Sequence, residues 1–465
     1  MRTSGVPLNS IATTRATWTC TTETVLHWNI LTRATGILSV ASKTCKPSDA
    51  VAKLACATIS EAQQSALRSS ATTSRGVAGL IANISLFFHD KLSQKRIYNC
   101  IFHAVPNDTF KNALTAKKVN IMQVDLNNVD WKTLPFGYTD TDYNVRCYYR
   151  NGEWGKIEVS SSKDISIHMA ATCLHYGQEG FEGLKAYTGK DGKVRIFRVD
   201  ENAKRMQNTA NRVLMAVPPI ELFREMVHTV VKLNKRFVPP YGYGATLYIR
   251  PLLIGTSAEV GVKPSDEYLL MMFVCPVGPY FKDGFKPVDM MISRNYDRAA
   301  PQGTGTVKVG GNYAASLQSL AEAKKLGYSS TIYLDAKEKK YIDECGPANF
   351  FGIKGKTYVT PKSESILPSI TNKSLQQLAE YLGYTVERRQ VPFEELAEFE
   401  ETAECGTAAV ITPIKKIVDP VAGKEFTYGD GVNPGPVCTE LFTKYTAIQF
   451  GEAEDPFGWT EVVDV

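Results

Sequence analysis

The sequence predicts an α/β protein with mixed sheets, divided into two domains that meet at a cleft. Three observations carry this prediction. From residue 121 onward, short strand-like apolar runs alternate with amphipathic helical patterns. Asn151-Gly152 and Asp191-Gly192 mark tight hairpins between early strands. A Gly- and Pro-rich stretch at 276–287 then separates two such alternating halves.

The elements follow in order. Residues 143–200 read as strands joined by turns, because apolar alternation flanks both glycine turns. Two helices are expected at 201–216 and 220–237, with apolar residues at helical spacing and Pro218-Pro219 between them. Strands follow at 245–250 and 268–275. Past the linker come a strand at 288–293, a glycine-rich loop, a helix at 313–326 and a strand at 330–335. That helix sets Leu317, Leu320 and Ala321 at helical spacing, carries Lys324 and Lys325 in its last turn and stops at Gly327. A turn at 336–340 leads to a hairpin at 349–360 with Lys354-Gly355 at its tip. A helix at 371–382 lines up Leu375, Leu378, Ala379 and Leu382 and stops at Gly383. The division is a smaller α/β domain at 121–282 and a larger one at 288–465.

Residues 1–120 stand apart as a low-acid leader. Across 1–100 the acidic residues are Glu23, Asp49, Glu61 and Asp90, against eleven Lys or Arg. The stretch is rich in Ser, Thr and Ala and lacks sustained periodicity, which is the composition of a transit segment. Equally open is a disordered or extraneous stretch ahead of a functional protein that starts near Met122. Either way it is no part of the fold. Its apolar run at 77–88 is too short to span a bilayer and holds Asn83 and Ser85, so no membrane anchor is expected.

The net charge of +5 belongs mainly to this leader, and both signs alternate beyond it, so no nucleic-acid stripe is read. A chain of 465 residues, 43% hydrophobic and 22% charged, has the composition of an ordinary globular protein. Its ten cysteines are scattered without a Cys-x-x-Cys pair, which indicates neither a zinc site nor a disulfide framework. Reduced thiols in the cytoplasm or a mitochondrial matrix are the expectation.

The chemistry centres on Lys308, a lone cation in Val307-Lys308-Val309-Gly310-Gly311-Asn312-Tyr313. A lysine nucleophile needs a neutral amine, and burial among apolar neighbours lowers its pKa from the ordinary value of about 10.4. Read alone, a Gly-rich stretch with one Lys is a surface loop. Position adds weight, because Lys308 lies just ahead of a helix on a segment whose glycines let a ligand approach the backbone. The run lacks the P-loop spacing, and Gly303-Thr304-Gly305 is no dinucleotide fingerprint. A phosphate next to Lys308 would find an anion cradle at the helix beginning near Thr371, from the amides of Ile370 and Thr371 and the Thr371 hydroxyl. Gly406-Thr407-Ala408 offers a second set of amides, and Arg205 would complete a clamp.

In this setting the sequence resembles the branched-chain amino acid aminotransferases, of the fold type IV pyridoxal phosphate class. The resemblance runs from about Phe136 to Gly458-Trp459. It rests on Leu174-His175-Tyr176, Phe181-Glu182-Gly183-Leu184-Lys185-Ala186, Lys204-Arg205-Met206, Leu247-Tyr248-Ile249-Arg250-Pro251, Pro276-Val277-Gly278-Pro279-Tyr280-Phe281 and the Lys308 run. It implies the two-domain fold of that class, pyridoxal 5'-phosphate as cofactor and Lys308 as the catalytic lysine that forms the Schiff base. It implies that Glu344 faces the pyridine nitrogen, where a carboxylate stabilises the protonated ring that withdraws electrons from the substrate. Tyr313 matches the residue that bonds the ring oxygen, and Arg205, Ile370, Thr371 and Thr407 match the phosphate positions. Tyr176, Phe181, Tyr248 and Tyr280 match an apolar substrate wall, Arg250 the partner of the side-chain carboxylate of glutamate, and Ala408 with Thr407 the backbone that receives the substrate α-carboxylate.

The activity so implied is ping-pong transamination of L-leucine, L-isoleucine and L-valine with 2-oxoglutarate, by a homodimer. Three departures stand out. Pro347 stands where mammalian members carry a threonine; Ser369 and Asn372 replace the Gly and Arg usual in the Leu-Pro-Gly-x-Thr-Arg loop; Ala409 and Thr412 occupy the places of the vertebrate thiol pair, so no thiol switch of that kind is expected. The alternatives are a D-amino acid aminotransferase or an aminodeoxychorismate lyase of the same fold, or a non-catalytic relative.

Overall fold

In this computed structural model the described residues are 126, 129–278 and 284–464. The leader and Tyr280 therefore lie outside them. The first strand, β1 (Asn144–Arg150), turns back into β2 (Glu153–Trp154) through Asn151 and Gly152, both at positive φ of 54° and 84°. That pair of left-handed residues is the mirror-image turn whose twist suits two adjacent strands, which is why Asn-Gly occupies it. After β3 (Glu158–Ser160) a short helix unforeseen in the sequence, α1 (Thr172–Tyr176), ends at Gly177 in the left-handed conformation. Then come β4 (Glu179–Phe181), β5 (Leu184–Thr188) and β6 (Val194–Phe197), the last two closing the Asp191-Gly192 hairpin.

Helices α2 (Val199–Arg212) and α3 (Ile220–Leu233) stand on either side of Pro218-Pro219 as expected, each shorter at its C-terminal end than the periodicity reads. Leu214, at φ 52°, breaks the first, and a 3-10 turn at Lys235–Phe237 replaces the end of the second. Phe223, Met226, Val227 and Val230 of α3 recur at helical spacing with no exposed surface. Each such side chain contributes roughly 1.5–3 kcal/mol by leaving water. They pack with α2 on the sheet formed by β1 to β6 and the long strands β7 (Thr246–Gly255) and β8 (Tyr268–Val277).

Strand β7 runs straight through Pro251, where the sequence pattern stops. Its outer neighbours are β5 up to Ile249 and β4 from Leu252, so the missing proline N–H falls in the gap between them. There the Pro251 carbonyl still accepts from the Glu182 amide at 2.9 Å. Proline is tolerated inside a sheet where the ladder is interrupted in this way.

The second sheet begins with β9 (Val288–Ser293), followed by α4 (Gly310–Ala315), α5 (Leu317–Lys325), β10 (Ser330–Leu334) and β11 (Ile342–Cys345). The single helix expected at 313–326 is thus two, broken at Ser316. Leu317, expected on its inner face, is 64% exposed, whereas Ser319 and Ala323 are buried. The reason is a polar contact: Ser319 Oγ meets Ser293 Oγ of β9 at 3.0 Å and fixes which face turns inward.

Strands β12 (Asn349–Lys354) and β13 (Thr357–Pro361) form the expected hairpin, and α6 (Ile370–Tyr381) leads through Gly383 to β14 (Thr385–Arg389). The chain continues with β15 (Glu401–Gly406), β16 (Val410–Asp419), β17 (Lys424–Thr427), α7 (Pro436–Gln449) and β18 (Thr460–Val463). The second sheet has the order β11-β10-β9-β16-β15-β12-β13-β14, with parallel pairs at β9–β10, β9–β16 and β13–β14. It is therefore mixed, whereas the first sheet, order β18-β6-β5-β7-β8-β1-β2, is antiparallel throughout. The sheets change over between β8 and β9, and the last strand crosses back to the first sheet. Helices α6 and α7 cover β15 and β16, burying Leu375, Leu378, Leu441 and Tyr445.

Candidate active site

Lys308 lies in a cleft lined from both sheets, and its backbone is pinned to elements of the first. Its amide donates to Thr209 Oγ1 of α2 at 3.1 Å, and its carbonyl accepts from the Phe181 amide of β4 at 3.0 Å. Gly180 permits this approach: a Cβ there would stand 2.6 Å from the Thr209 methyl. Asn312 ties down the preceding loop through the Thr304 and Val307 carbonyls, at 2.7 and 3.0 Å. The glycine-rich stretch is therefore a fixed segment, which separates it from an ordinary surface loop.

The Lys308 amine meets Tyr313 Oη at 2.5 Å and lies 4.6 Å from the Phe181 ring centre. Burial lowers its pKa to about 7, helped by the positive charge of Arg205. Burial raises the Tyr313 phenol to about 12, so it stays a hydrogen-bond donor.

A cleft of about 770 Å³ opens at this amine. Lys308, Tyr313, Glu344, Arg205, Thr407, Ala408, Phe181, Tyr248 and Arg250 all line it, so one cavity gathers most of the predicted site. Ile370 and Thr371 border an adjoining small cavity together with Thr407. Tyr176 is not brought in: it sits at the end of α1, 39% exposed, with its hydroxyl on the Val260 carbonyl.

Glu344 is almost wholly enclosed. Its Oε1 accepts from Arg298 Nη1 at 2.8 Å and from the Leu367 amide at 3.0 Å, and Oε2 accepts from Asn349 Nδ2 at 2.9 Å. Burial pushes its pKa up to about 7 against the opposing pull of Arg298. Arg298 also holds the Gly305 and Ser365 carbonyls, and so links the Lys308 loop to this carboxylate.

The anion-binding end has a similar logic. Ser369 caps α6 by accepting from the Asn372 amide, and the amides of Ile370 and Thr371 have no acceptor among the described residues. Arg205 is paired with Glu182, through Nε and Nη2 at 2.8 Å each, and donates Nη1 to the Pro368 carbonyl at 3.0 Å. Those bonds occupy three of the five N–H donors of a guanidinium and leave two for a ligand. The 406–410 turn carries Val410 at φ 66°, a conformation that costs a β-branched residue about 1–3 kcal/mol. It is held by Lys185 Nζ on the Ala408 carbonyl at 2.8 Å, while the Thr407 and Ala408 amides have no acceptor among the described residues. Burial lowers the Lys185 amine to about 8.

The remaining wall is aromatic. Tyr248 packs edge-on to Phe136 with ring centres 5.4 Å apart, and the Arg250 guanidinium stacks 4.9 Å above Phe181. Arg250 donates to Tyr248 Oη at 3.1 Å, and its buried Nε has no partner among the described residues. A Cβ on Gly183 would fall 2.1 Å from Tyr248 Oη, so only glycine leaves room for that phenol.

These residues fit pyridoxal phosphate: an amine for its carbonyl, a phenol for its ring oxygen, a carboxylate for its nitrogen, and unpartnered amides with a guanidinium for its phosphate. Sequence reasoning missed Glu182, Lys185, Arg298 and Asn349. Glu182 and Lys185 lie inside a motif already singled out, Phe181-Glu182-Gly183-Leu184-Lys185-Ala186, and two charges in an otherwise apolar stretch were the available signal. Arg298 carries none.

The chain matches the class IV amino-transferase family over residues 180–417. It is 46% identical over 346 residues to the branched-chain-amino-acid aminotransferase of Haemophilus influenzae, covering 73% of this chain and all of that one. It is 43% identical over 340 residues to chloroplastic branched-chain-amino-acid aminotransferase 5 of Arabidopsis thaliana, covering 72% of this chain and 80% of the relative. Among solved structures it resembles the branched-chain amino acid aminotransferase of Escherichia coli, with a TM-score of 0.57 and 29% identity, over 70% of this chain and all of that one. The corresponding T.th. enzyme with pyridoxamine 5'-phosphate gives a TM-score of 0.59 at 25% identity, with the same coverage.

Proposed function

This chain belongs to the class IV aminotransferases, a pyridoxal-phosphate-dependent family, and from that premise we propose that it moves the amino group of L-leucine, L-isoleucine or L-valine to 2-oxoglutarate. The observation that carries the reading is that Lys308 and Glu344 line one cleft whose other wall is aromatic. Held at Lys308, the cofactor would supply an electron sink that acidifies the substrate Cα–H. Everything else is the work of this chain. Glu344 would face the ring nitrogen, Tyr313 would donate to the ring oxygen, and Arg205, the amides of Ile370 and Thr371 and the Thr407 hydroxyl would hold the phosphate. The Lys308 amine, with its lowered pKa, would carry the proton away from the substrate Cα and later return one to it.

Substrate choice rests on Phe181 and Tyr248, with Tyr280 of the expected wall outside the described residues. An apolar pocket discriminates by only about 1–3 kcal/mol per methylene, so one enzyme takes all three branched side chains. The unpartnered, buried Arg250 Nε supports the second substrate class, because a half-buried cation stacked on Phe181 suits the side-chain carboxylate of glutamate. The Ala408 and Thr407 amides receive the α-carboxylate.

Adding L-leucine to the holoenzyme without an acceptor is expected to bleach the cofactor band and yield one equivalent of 2-oxo acid. D-Alanine in a parallel cuvette should leave it unchanged. Bleaching by D-alanine alone would make the protein a D-amino acid aminotransferase, and pyruvate released from aminodeoxychorismate would make it a lyase.

We also propose that the enzyme is a homodimer in which Tyr176 serves the cleft of the other copy. Tyr176 lies outside its own cleft with its hydroxyl on the Val260 carbonyl, next to His175, whose ring meets the Met169 carbonyl, and Met169 and Val260 are 83 and 89% exposed. A grouped apolar surface of that kind marks an interface. Mixing a Tyr176→Ala variant with a Lys308→Ala variant is expected to restore activity, since hybrid dimers then hold one intact site. Two inactive parents that stay inactive after exchange of subunits, or a monomer by sedimentation, would end this reading.

A further inference from the structure

We propose that Asn372 is a positioning residue for Glu344, acting through Asn349, and that it couples the phosphate end of the cofactor site to the carboxylate at the ring nitrogen. The inference rests on the proposed roles of Glu344 and of the α6 amides. Asn372 is 5% exposed, in the first turn of α6, and its side chain fills every hydrogen-bonding position it has. Oδ1 accepts from Tyr358 Oη at 2.9 Å and from Gln376 Nε2 at 3.2 Å. Nδ2 donates to Thr360 Oγ1 at 2.9 Å and to Asn349 Oδ1 at 3.1 Å.

The direction of these bonds is forced. The Phe350 carbonyl can only accept, so the single proton of the Thr360 hydroxyl goes to it, at 2.8 Å. Thr360 therefore shows Asn372 a lone pair, and the atom facing it must be Nδ2. The second proton of that Nδ2 requires an oxygen from Asn349, which turns the Asn349 amide nitrogen toward Glu344 Oε2 at 2.9 Å and the Leu367 carbonyl at 3.1 Å. A flipped Asn349 would aim an oxygen at the carboxylate. Polarity thus passes from a backbone carbonyl of β12 to the acid that faces the ring nitrogen.

Leu367 closes the circuit. Its amide holds Glu344 Oε1 at 3.0 Å while its carbonyl holds Asn349, so residues 367–372 carry one direct Glu344 contact, a second anchor of Asn349 and the first-turn amides of α6. Arg298 neutralises Glu344 from the other side but reaches neither Asn349 nor α6. Without Asn372, the Asn349 amide keeps one fixed neighbour, Leu367, and its buried Oδ1 loses its donor. The Glu344 carboxylate is then held less firmly in the orientation that serves the cofactor.

The test uses the full-length holoenzyme loaded with ring-15N pyridoxal phosphate, whose nitrogen signal reports its protonation as pH is raised. The wild-type nitrogen is expected to stay protonated well above neutral pH. In Asn372→Leu the proton should be lost at a pH about one unit lower, with roughly tenfold weaker cofactor affinity, the effect of one buried hydrogen bond. The thermal midpoint of each apo-protein reports folding, and Asn372→Ala carries the same test if the leucine variant does not fold. The double variant with Asn349→Ala should be no worse than Asn349→Ala alone, since both act through one amide. An unchanged nitrogen titration in a folded Asn372 variant, or losses that simply add, overturns the coupling while leaving the Glu344 role intact. A wild-type nitrogen that is unprotonated at neutral pH overturns the role of Glu344 and the coupling together.

Discussion

Lys308→Ala is expected to lower transamination of L-leucine by at least about 10⁴-fold, because in the proposed reaction it removes both the covalent tether and the proton carrier. Two further readouts separate this role from a structural one. Borohydride treatment of the wild-type holoenzyme should fix the cofactor mass on the peptide that contains Lys308, and the variant should gain nothing. The apo-protein should also take up cofactor with a distinctive pH dependence. Only a neutral amine attacks a carbonyl, and burial together with Arg205 lowers the Lys308 pKa to about 7. The uptake rate should therefore rise from pH 5.5 to about 7 and then level off. A lysine of ordinary pKa would give a rate still climbing about tenfold per unit at pH 9. The linkage has the matching sign. The folded pKa lies below the unfolded one, so Lys308 contributes apo-state stability at high pH and loses it as pH falls from about 10.5 through 7. A Lys308→Ala enzyme that keeps a tenth of wild-type activity would remove this lysine from the chemistry.

The parts of this site that were legible in the sequence are those whose chemistry depends on local order. Lys308 sits between two buried valines and ahead of glycines, and Thr371 opens a helix, so each advertises its environment to its neighbours in the chain. The supporting charges are different. Arg205 reaches Glu182 across 23 positions, and Arg298 reaches Glu344 from the loop that follows β9, so only the assembled sheets bring them together. Periodicity has a related blind spot. It joined 313–326 into one helix because the apolar spacing continues across Ser316, whereas the buried face is chosen by the Ser319–Ser293 hydroxyl contact. Likewise the strand pattern stops at Pro251, since nothing in the sequence shows that the ladder is already broken there. Tyr176 reads as a pocket residue from its motif, but within one chain it stands at an exposed edge, and a motif does not say which copy's cleft a residue serves.

Glu344→Gln is expected to reduce kcat by about 10²- to 10³-fold, the scale of removing one preorganised charged partner from a dry site. KM for the amino acid should move far less, because the proposed substrate contacts, Arg250, Thr407 and Ala408, line the cleft and remain in place. The substitution is nearly isosteric, yet it is not neutral to its neighbours. The new amide can keep an oxygen toward Arg298 and the Leu367 amide, and its nitrogen then points at Asn349 Nδ2, donor against donor. The pH behaviour gives a second reading that is independent of turnover. Burial raises the folded pKa of Glu344 to about 7 from 4.5, so the folded apo-protein keeps a proton that the unfolded chain releases. Its contribution to stability is present below about pH 4.5 and is lost as pH rises through 7. The apo form of the variant should lack that part of the decline, so its melting curve changes less between pH 5 and 8 than that of the wild type. Cofactor then acts in the opposite sense to burial. A protonated ring nitrogen beside the carboxylate favours its ionised form, as Arg298 already does, so loading the wild type should flatten the same decline and loading the variant should not. Equal kcat in the two proteins, with equal pH profiles, would mean that another group answers the ring nitrogen.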